Sequence, residues 1–398
     1  MTTPILHWKP EATAPEDVTP PSVVEQADEA VHTAVAECRF AKPGRTGWVR
    51  TDGGSLKLKG IGHWTGRDGS ANPPSTQVYT RPRGHVGITE SGRLRLVDSA
   101  PAPLGGITID RAMREFTAAL GMSRLCADGV RPVRVYRLAD PPLRFPETDG
   151  EDLAAVATLV PTAWPQRVDT LFLPPDRLGA ADREFIDLVR RQRPLIDTMT
   201  DLSSGYGRAL RIFSEAGFFR HSGTVDNWGV APEDGRVFLT DLDSTQTLAS
   251  AGSTRRPVEV LRDVSSGIFG LAAALMLPGM ADDPAPAIDA MQRLVAGYFP
   301  DVPSDVVAGA VGPFARYWTP LAQRSWAGQG TRPIGGDRAI WMDRDLSYCL
   351  LLRGMATAYA AGDGPARWGA VDADGLTDAA RDFLGAGRFR RYEGFMAG

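Results

Sequence analysis

The spacing of hydrophobic positions changes along the chain. Through residue 160 the apolar runs are short, and several alternate with polar residues, which is the period of a strand. Strands are predicted at 47–51 and 55–62, separated by an Asp52-Gly53-Gly54 turn. A period of two puts Leu56 and Leu58 on one face and Lys57 and Lys59 on the other. Further strands are predicted at 94–97, 133–138 and 154–160. An amphipathic helix is predicted over 109–120, with Gly121 as its C-cap. Residues 23–38 suit a short helix, residues 1–24 read as a mobile arm, and the Gly-, Pro- and Ser-rich stretch 63–92 reads as a long loop with a short strand at 77–80.

After residue 178 apolar positions recur at three and four. Helices are predicted over 181–192, 195–200, 206–216, 258–276, 286–298, 304–324, 343–361 and 377–384. Among them a hairpin is predicted, with strands 228–231 and 237–240 joined by a tight turn at Asp234-Gly235. The expected class is α+β, with a strand-rich N-lobe and a helical C-lobe. The expected divisions are a partly disordered N-terminal extension over 1–40, an N-lobe with a long inserted loop over 41–165, and a C-lobe over 166–398 that carries the hairpin segment 217–244. No internal repeat is evident.

Composition narrows the function classes. With 398 residues, 43% hydrophobic and 23% charged, the chain suits an ordinary globular protein of two lobes. A net charge of −4 argues against broad nucleic-acid binding. Three cysteines, Cys38, Cys126 and Cys349, are far apart with no CxxC, so a reducing cytoplasm is the expected compartment. The N-terminus lacks a signal-peptide pattern, and the most apolar run, 267–280, is interrupted by Gly270 and Pro278, so no membrane partner is expected. Of the 44 lysines and arginines only Lys9, Lys42, Lys57 and Lys59 are lysine. Two of the four in one strand mark a place where a compact point charge suits and a planar fork does not.

The segment 217–244, GFFRHSGTVDNWGVAPEDGRVFLTDLDS, gathers Asp226, Asn227, Asp241 and Asp243 at the two ends of the hairpin. A hairpin brings its ends together, and an amide oxygen beside carboxylates is a hard-oxygen set suited to Mg²⁺ held against phosphates. Asn227 and Asp241 are the expected metal residues, and Asp243, on the same side of an extended chain as Asp241, adds a ligand. Asp226 is the best candidate for a general base. His221 suits a structural role in the same loop. Upstream, Lys59 or Lys57 paired with Glu115 on the 109–120 helix would hold the α- and β-phosphates of a nucleotide, as in protein-kinase-like phosphotransferases. The PGRTG segment at 43–47 suits a phosphate-covering turn. Trp318, Trp326, Trp341 and Trp368 read as buried core.

Three segments resemble the selenoprotein O family, a divergent protein-kinase-like group. They are LKGIG at 58–62, REFTAALGM at 114–122 and GFFRHSGTVDNWGV at 217–230. The resemblance covers residues 55–245. It implies Lys59 as the nucleotide lysine, Glu115 as its helix partner, Asn227 and Asp241 as metal ligands, and Arg167, in LVPTAWPQR, as a phosphate contact. It also implies ATP and Mg²⁺ as cofactors. That family transfers AMP to protein hydroxyls. This chain has Leu159 or Val160 where the family has an earlier phosphate-contacting arginine, and relative to the family an insertion of about thirty residues lies between Lys59 and Glu115.

The expected function is an ATP- and Mg²⁺-dependent kinase-like transferase that moves a phosphoryl group to a hydroxyl of a protein or small molecule. AMP transfer, or an inactive pseudokinase that serves as a binding module, are the alternatives.

Overall fold

The computed structural model describes residues 6–37, 44–65, 71–80, 84–98, 100–220, 223–276, 283–326 and 342–398. Strand β1 (His7–Thr13) and helix α1 (Pro21–Glu37) come first, then strands β2 (Gly44–Thr51), β3 (Gly54–Trp64), β4 (Val78–Thr80), β5 (Gly84–Ile88), β6 (Leu94–Asp98), β7 (Ala102–Pro103) and β8 (Ile107–Thr108). Helix α2 (Ile109–Leu125) leads to β9 (Arg131–Asp140), β10 (Arg144–Phe145) and β11 (Glu151–Val160). The chain divides into two compact units. Met1–Gly84, Asp98–Gln166 and Thr240–Thr245 form the first; His85–Val97, Arg167–Leu239 and Gln246–Gly398 form the second.

The first unit is built on an antiparallel sheet of order β1-β9-β11-β3-β2, with β8 and β10 also paired to β11. Helix α1 covers one face, where Ala27, Ala30 and Val31 pack with Leu56, Leu58, Leu153 and Ala155. Helix α2 covers the other, where Ala112 and Phe116 pack with Val135, Ala154 and Val156. A sheet buried on both faces needs apolar residues at consecutive positions, which is why β11 reads as a nearly continuous apolar run. On β9 the register slips opposite Ala157 and Thr158, so Val133 and Val135 reach cores on opposite faces.

Two features differ from the sequence expectation. His7–Thr13, read as part of a mobile arm, is an edge strand on β9 that buries Trp8. Its Pro10 sits at a register slip, and a proline is tolerated on an edge because no neighbour needs its missing N–H. Helix α2 runs through Gly121 to Leu125 and is capped at Cys126, because its buried apolar face continues to Met122.

Strand β3 parts from β11 after Lys59, while it still pairs with β2 at Trp64. Its pairing with β11 ends at Lys59 opposite Val156, and β8 takes over opposite Ala154 and Leu153. Gly60 makes the turn at φ +93°, where a Cβ would lie 2.4 Å from Ile107 Cγ2 and 2.5 Å from the Ala154 carbonyl oxygen. No other residue fits there without displacing the neighbouring strand.

The second unit is helical. Helices α3 (Ala180–Arg190) and α4 (Leu195–Glu215) precede strand β12 (Phe218–Phe219), the hairpin β13 (Trp228–Ala231) and β14 (Arg236–Leu239), and strand β15 (Gln246–Thr247), which pairs with β12. Helices α5 (Arg255–Leu275), α6 (Ala285–Tyr298), α7 (Ser304–Trp326), α8 (Arg344–Ala361), α9 (Gly364–Trp368) and α10 (Ala373–Ala397) follow. Helix α5 is buried from Pro257 to Leu275. The expected pieces 195–200 and 206–216 are one helix, α4, which passes through Gly205 and Gly207. Gly207 lets α4 press against α6, since a Cβ there would fall 2.1 Å from the Leu294 carbonyl oxygen. The β13–β14 loop spans four residues, 232–235, in place of a two-residue turn. Strands β5 and β6, within the stretch read as a long loop, belong to this unit, where Glu90 accepts hydrogen bonds from the Gly252 N–H at 3.1 Å and from Arg255 at 3.3 Å. Trp318, Trp326 and Trp368 are buried, and Trp341 lies outside the described residues. Among the described residues no helix is long and apolar enough to cross a membrane.

The protein is therefore of mixed α and β structure, with a strand-rich first unit and a helical second unit.

Candidate functional site

The strand period of β3 aims Lys57 and Lys59 away from Leu56 and Leu58 and toward α2. There Glu115 meets both. Its Oε1 accepts from Lys57 Nζ at 2.7 Å and its Oε2 from Lys59 Nζ at 3.0 Å. All three side chains are 2% exposed. Burial of charge at this depth is tolerated only where each ion is matched by partners. Burial pushes the Glu115 carboxyl up, but Lys57 and then Lys59 outweigh it and hold its pKa below the ordinary value.

Thr240–Thr245 completes the cluster. Asp241 adopts the left-handed conformation at φ 60° and opens a short 3₁₀ turn, Leu242–Ser244. A non-glycine residue rarely holds this conformation without support from its surroundings. Buried Leu242 anchors the turn, and Thr240 Oγ1 accepts from Lys57 Nζ at 3.2 Å. The turn brings both carboxylates to Lys59, whose Nζ donates to Asp241 Oδ1 and lies 3.2 Å from Asp243 Oδ1. Burial acts against the Lys59 ammonium, yet Asp241, Asp243 and Glu115 outweigh it and raise its pKa. Lysine in this place is a fixed cation.

Asp243 is the most heavily compensated group. Its Oδ2 receives Arg45 Nη2 at 2.7 Å and Arg111 Nη2 at 2.8 Å. Burial raises its pKa, but Arg111, Lys59 and Arg45 pull it down to about 2. Arg45 also donates to the Gly106 carbonyl at 2.9 Å. Lys57, Lys59, Arg45 and Arg111 thus face Glu115, Asp241 and Asp243, leaving cations in excess. Arg111 Nη1 is buried with no hydrogen-bond partner among the described residues. Oxygens of the three carboxylates lie within 4.8 Å of one another, a spacing that suits a divalent cation. Asp241 is the open member, with its side chain 33% exposed against 4% for Asp243.

Asn227, Asp226 and Arg167 belong to the second unit. Asn227 is buried at the end of the 3₁₀ turn Val225–Asn227, directly before β13, and Asp226 is exposed. The Thr224 hydroxyl bonds to Asp226 Oδ1. Arg167, expected as a phosphate contact, donates from Nη1 to the Asp226 carbonyl at 2.7 Å, and its backbone bridges to Gly229. Trp228 stacks on Tyr206 of α4 with ring centroids 3.6 Å apart. On α5, both carboxylate oxygens of Asp263 accept the Arg220 N–H, at 2.8 and 3.1 Å. Burial, opposed by Arg262, pushes the Asp263 carboxyl up to about 7. His221 lies outside the described residues.

Lys57, Lys59, Glu115, Asp241 and Asp243, all singled out from the sequence, form one contact network in the structure. Arg111 and Thr240 were missed, and Arg45 was read only as part of a phosphate-covering turn at 43–47, where the residues from Gly44 on form β2. Arg111 had a legible signal: it precedes Glu115 by four on a helix, and residues at that spacing share a face.

No protein-family model matches this chain, and no curated protein matches it. Among solved structures, the chain is similar to one described as WaaP in complex with acyl carrier protein, with 12% identity and a TM-score of 0.37 over 80% of this chain and 99% of that one.

Proposed function

We propose that the protein is a protein-kinase-like transferase that uses ATP and Mg²⁺ to move a phosphoryl group to a hydroxyl of a protein or small molecule. The observation that carries this reading is one buried lysine, Lys59, bonded at once to the helix carboxylate Glu115 and to Asp241. Phosphoryl transfer asks a protein for positioning and charge neutralisation, and a fixed cation beside a hard-oxygen set supplies both. In this reading Lys59 and Lys57 hold the α- and β-phosphates, with Glu115 fixing their ammonium groups. Arg45 and Arg111 add positive charge to the same place.

The donor set fits Mg²⁺: Glu115, Asp241 and Asp243 offer oxygens at metal-site spacing. Asp241 would hold the ion, with Asp243 as a further ligand. When bound it would neutralise charge on the phosphates. Asp226 would orient the acceptor hydroxyl, and Arg167 would hold the loop through the Asp226 carbonyl. The proposed lobes are 41–165 and 166–398, and a cytoplasmic setting goes with ATP as donor.

Incubation with ATP labelled at the α or the γ position tests the proposal. Label transferred from the γ position is expected. Transfer from the α position alone would replace this reading with AMP transfer, and ATP binding with no transfer from either position would leave a nucleotide-binding module.

A further inference from the structure

The three carboxylates that suit a metal ion already surround a cation. Lys59 Nζ lies 3.0 Å from Glu115 Oε2 and 3.2 Å from Asp243 Oδ1, and it is bonded to Asp241 Oδ1. An ammonium has three N–H donors and no lone pair. Here it donates to Glu115 and Asp241 and forms an ion pair with Asp243, and it cannot itself ligate a metal. A divalent ion centred on the same three oxygens would lie against a fixed positive charge in a site shielded from water, where like charges repel strongly.

The carboxylates differ in exposure. Glu115 is held through its other oxygen by Lys57, and Asp243 through its other oxygen by Arg45 and Arg111. Asp241 stands one-third exposed on the left-handed residue that opens a turn. It is the carboxylate with an outward face.

We propose that the Lys59 ammonium is the resident cation of the Glu115–Asp241–Asp243 oxygen set, and that a divalent ion and this ammonium hold Asp241 in alternation. The metal gains Asp241 only when an anion of phosphate chemistry draws the ammonium away. The inference rests on the phosphotransfer reading in naming Mg²⁺ and a polyphosphate as the exchanging pair. It explains why a lysine must stand here: a slender point charge can leave a three-carboxylate pocket and return, whereas a planar guanidinium does not fit three converging oxygens.

The test uses the full chain and Mn²⁺ alone, with free Mn²⁺ followed by electron paramagnetic resonance. Wild-type protein is expected to show no saturable site abolished by Asp241→Asn. Lys59→Met and Lys59→Gln, each checked for folding by thermal melting, are expected to gain one that binds Mn²⁺ at least about tenfold tighter than wild type, since a like charge has left the site. The added Asp241→Asn change is expected to remove the gained site. Wild-type protein that binds Mn²⁺ without nucleotide at about micromolar affinity, in a manner abolished by Asp241→Asn, overturns the proposal whether or not the lysine variants fold. So does a folded Lys59→Met protein with no gain. The expected Mn²⁺ pattern in a protein that does not bind ATP would sink the phosphotransfer reading and leave the exchange standing.

Discussion

Lys59 Nζ is 3.0 Å from Glu115 Oε2 and bonded to Asp241 Oδ1, so one side chain ties helix α2 to the turn that follows β14. Lys57, two residues earlier, shares Glu115 and also bonds to Thr240. The two lysines are therefore not equivalent, although they share one face of one strand.

This difference predicts unequal losses of activity. Lys59→Met is expected to lower kcat/KM for ATP by about a hundredfold or more, the scale seen when a fixed electrostatic contact to reacting phosphates is removed. Lys59→Arg is expected not to restore it. Lys57→Met is expected to cost less, because Lys59 is the lysine bonded to both Glu115 and Asp241. Steady-state kinetics on the three variants would show the ranking, and equal losses at 57 and 59 would contradict it.

Glu115 is the counter-ion of both lysines. Glu115→Ala is expected to destabilise the protein by about 3 kcal/mol, since it leaves buried ammonium groups short of a partner. Urea unfolding measures this. A loss near zero would mean that the remaining partners, Thr240 at Lys57 and Asp241 and Asp243 at Lys59, suffice.

The acid limb of stability carries a signature of Asp243. Its folded pKa is depressed from 3.8 to about 2, so its contribution is present above the unfolded value and is lost as pH falls through about 2. The difference corresponds to about 2 kcal/mol. Unfolding midpoints measured between neutral pH and strong acid should fall less steeply in Asp243→Asn than in wild type.

Asp263 titrates in the opposite sense. Its folded pKa is raised from 3.8 to about 7, so its contribution is fully present at acid pH and is lost as pH rises through about 7. Between mildly acid and mildly alkaline pH, Asp263→Asn is expected to flatten the decline in stability. An unchanged slope would show that the carboxylate stays ionised beside Arg262 and the Arg220 N–H.

Gly60→Ala is expected to cost about 2 kcal/mol or more, because it combines positive φ with backbone and side-chain atoms closer than any real Cβ contact. Thermal melting would report it, and loss of ATP binding should accompany it because Lys59 is the adjoining residue.

Much of this arrangement could be read before any coordinates. The alternation in β3 put both lysines on one face, and the 3.6-residue period put Glu115 on α2, because these local rules survive whatever packs around them. The hairpin was legible from Asp234-Gly235 and the apolar runs beside it. Other elements depend on distant partners. β1 is a strand because β9 offers it an edge, and its own sequence, with Pro10 and three acidic or basic residues, says loop. α4 stays whole through Gly205 and Gly207 because Val237 of β14 and the α6 backbone at Leu294 fill the space that side chains there would take. Arg45 meets Asp243 across 198 residues, a separation no local pattern encodes.

The departure of β3 at Gly60 has a bearing on how such chains can vary. The strand leaves its neighbour β11 beside Val156, and the chain returns to that same neighbour at Ala154 as β8, immediately before the helix that carries Glu115. Both ends of the excursion are thus stitched to one strand, two residues apart. Lys59 and Glu115 meet at a distance set by that stitch and not by the residues between. The excursion is a cassette: it can lengthen, shorten or be exchanged while the ion pair it interrupts in sequence stays in register in space.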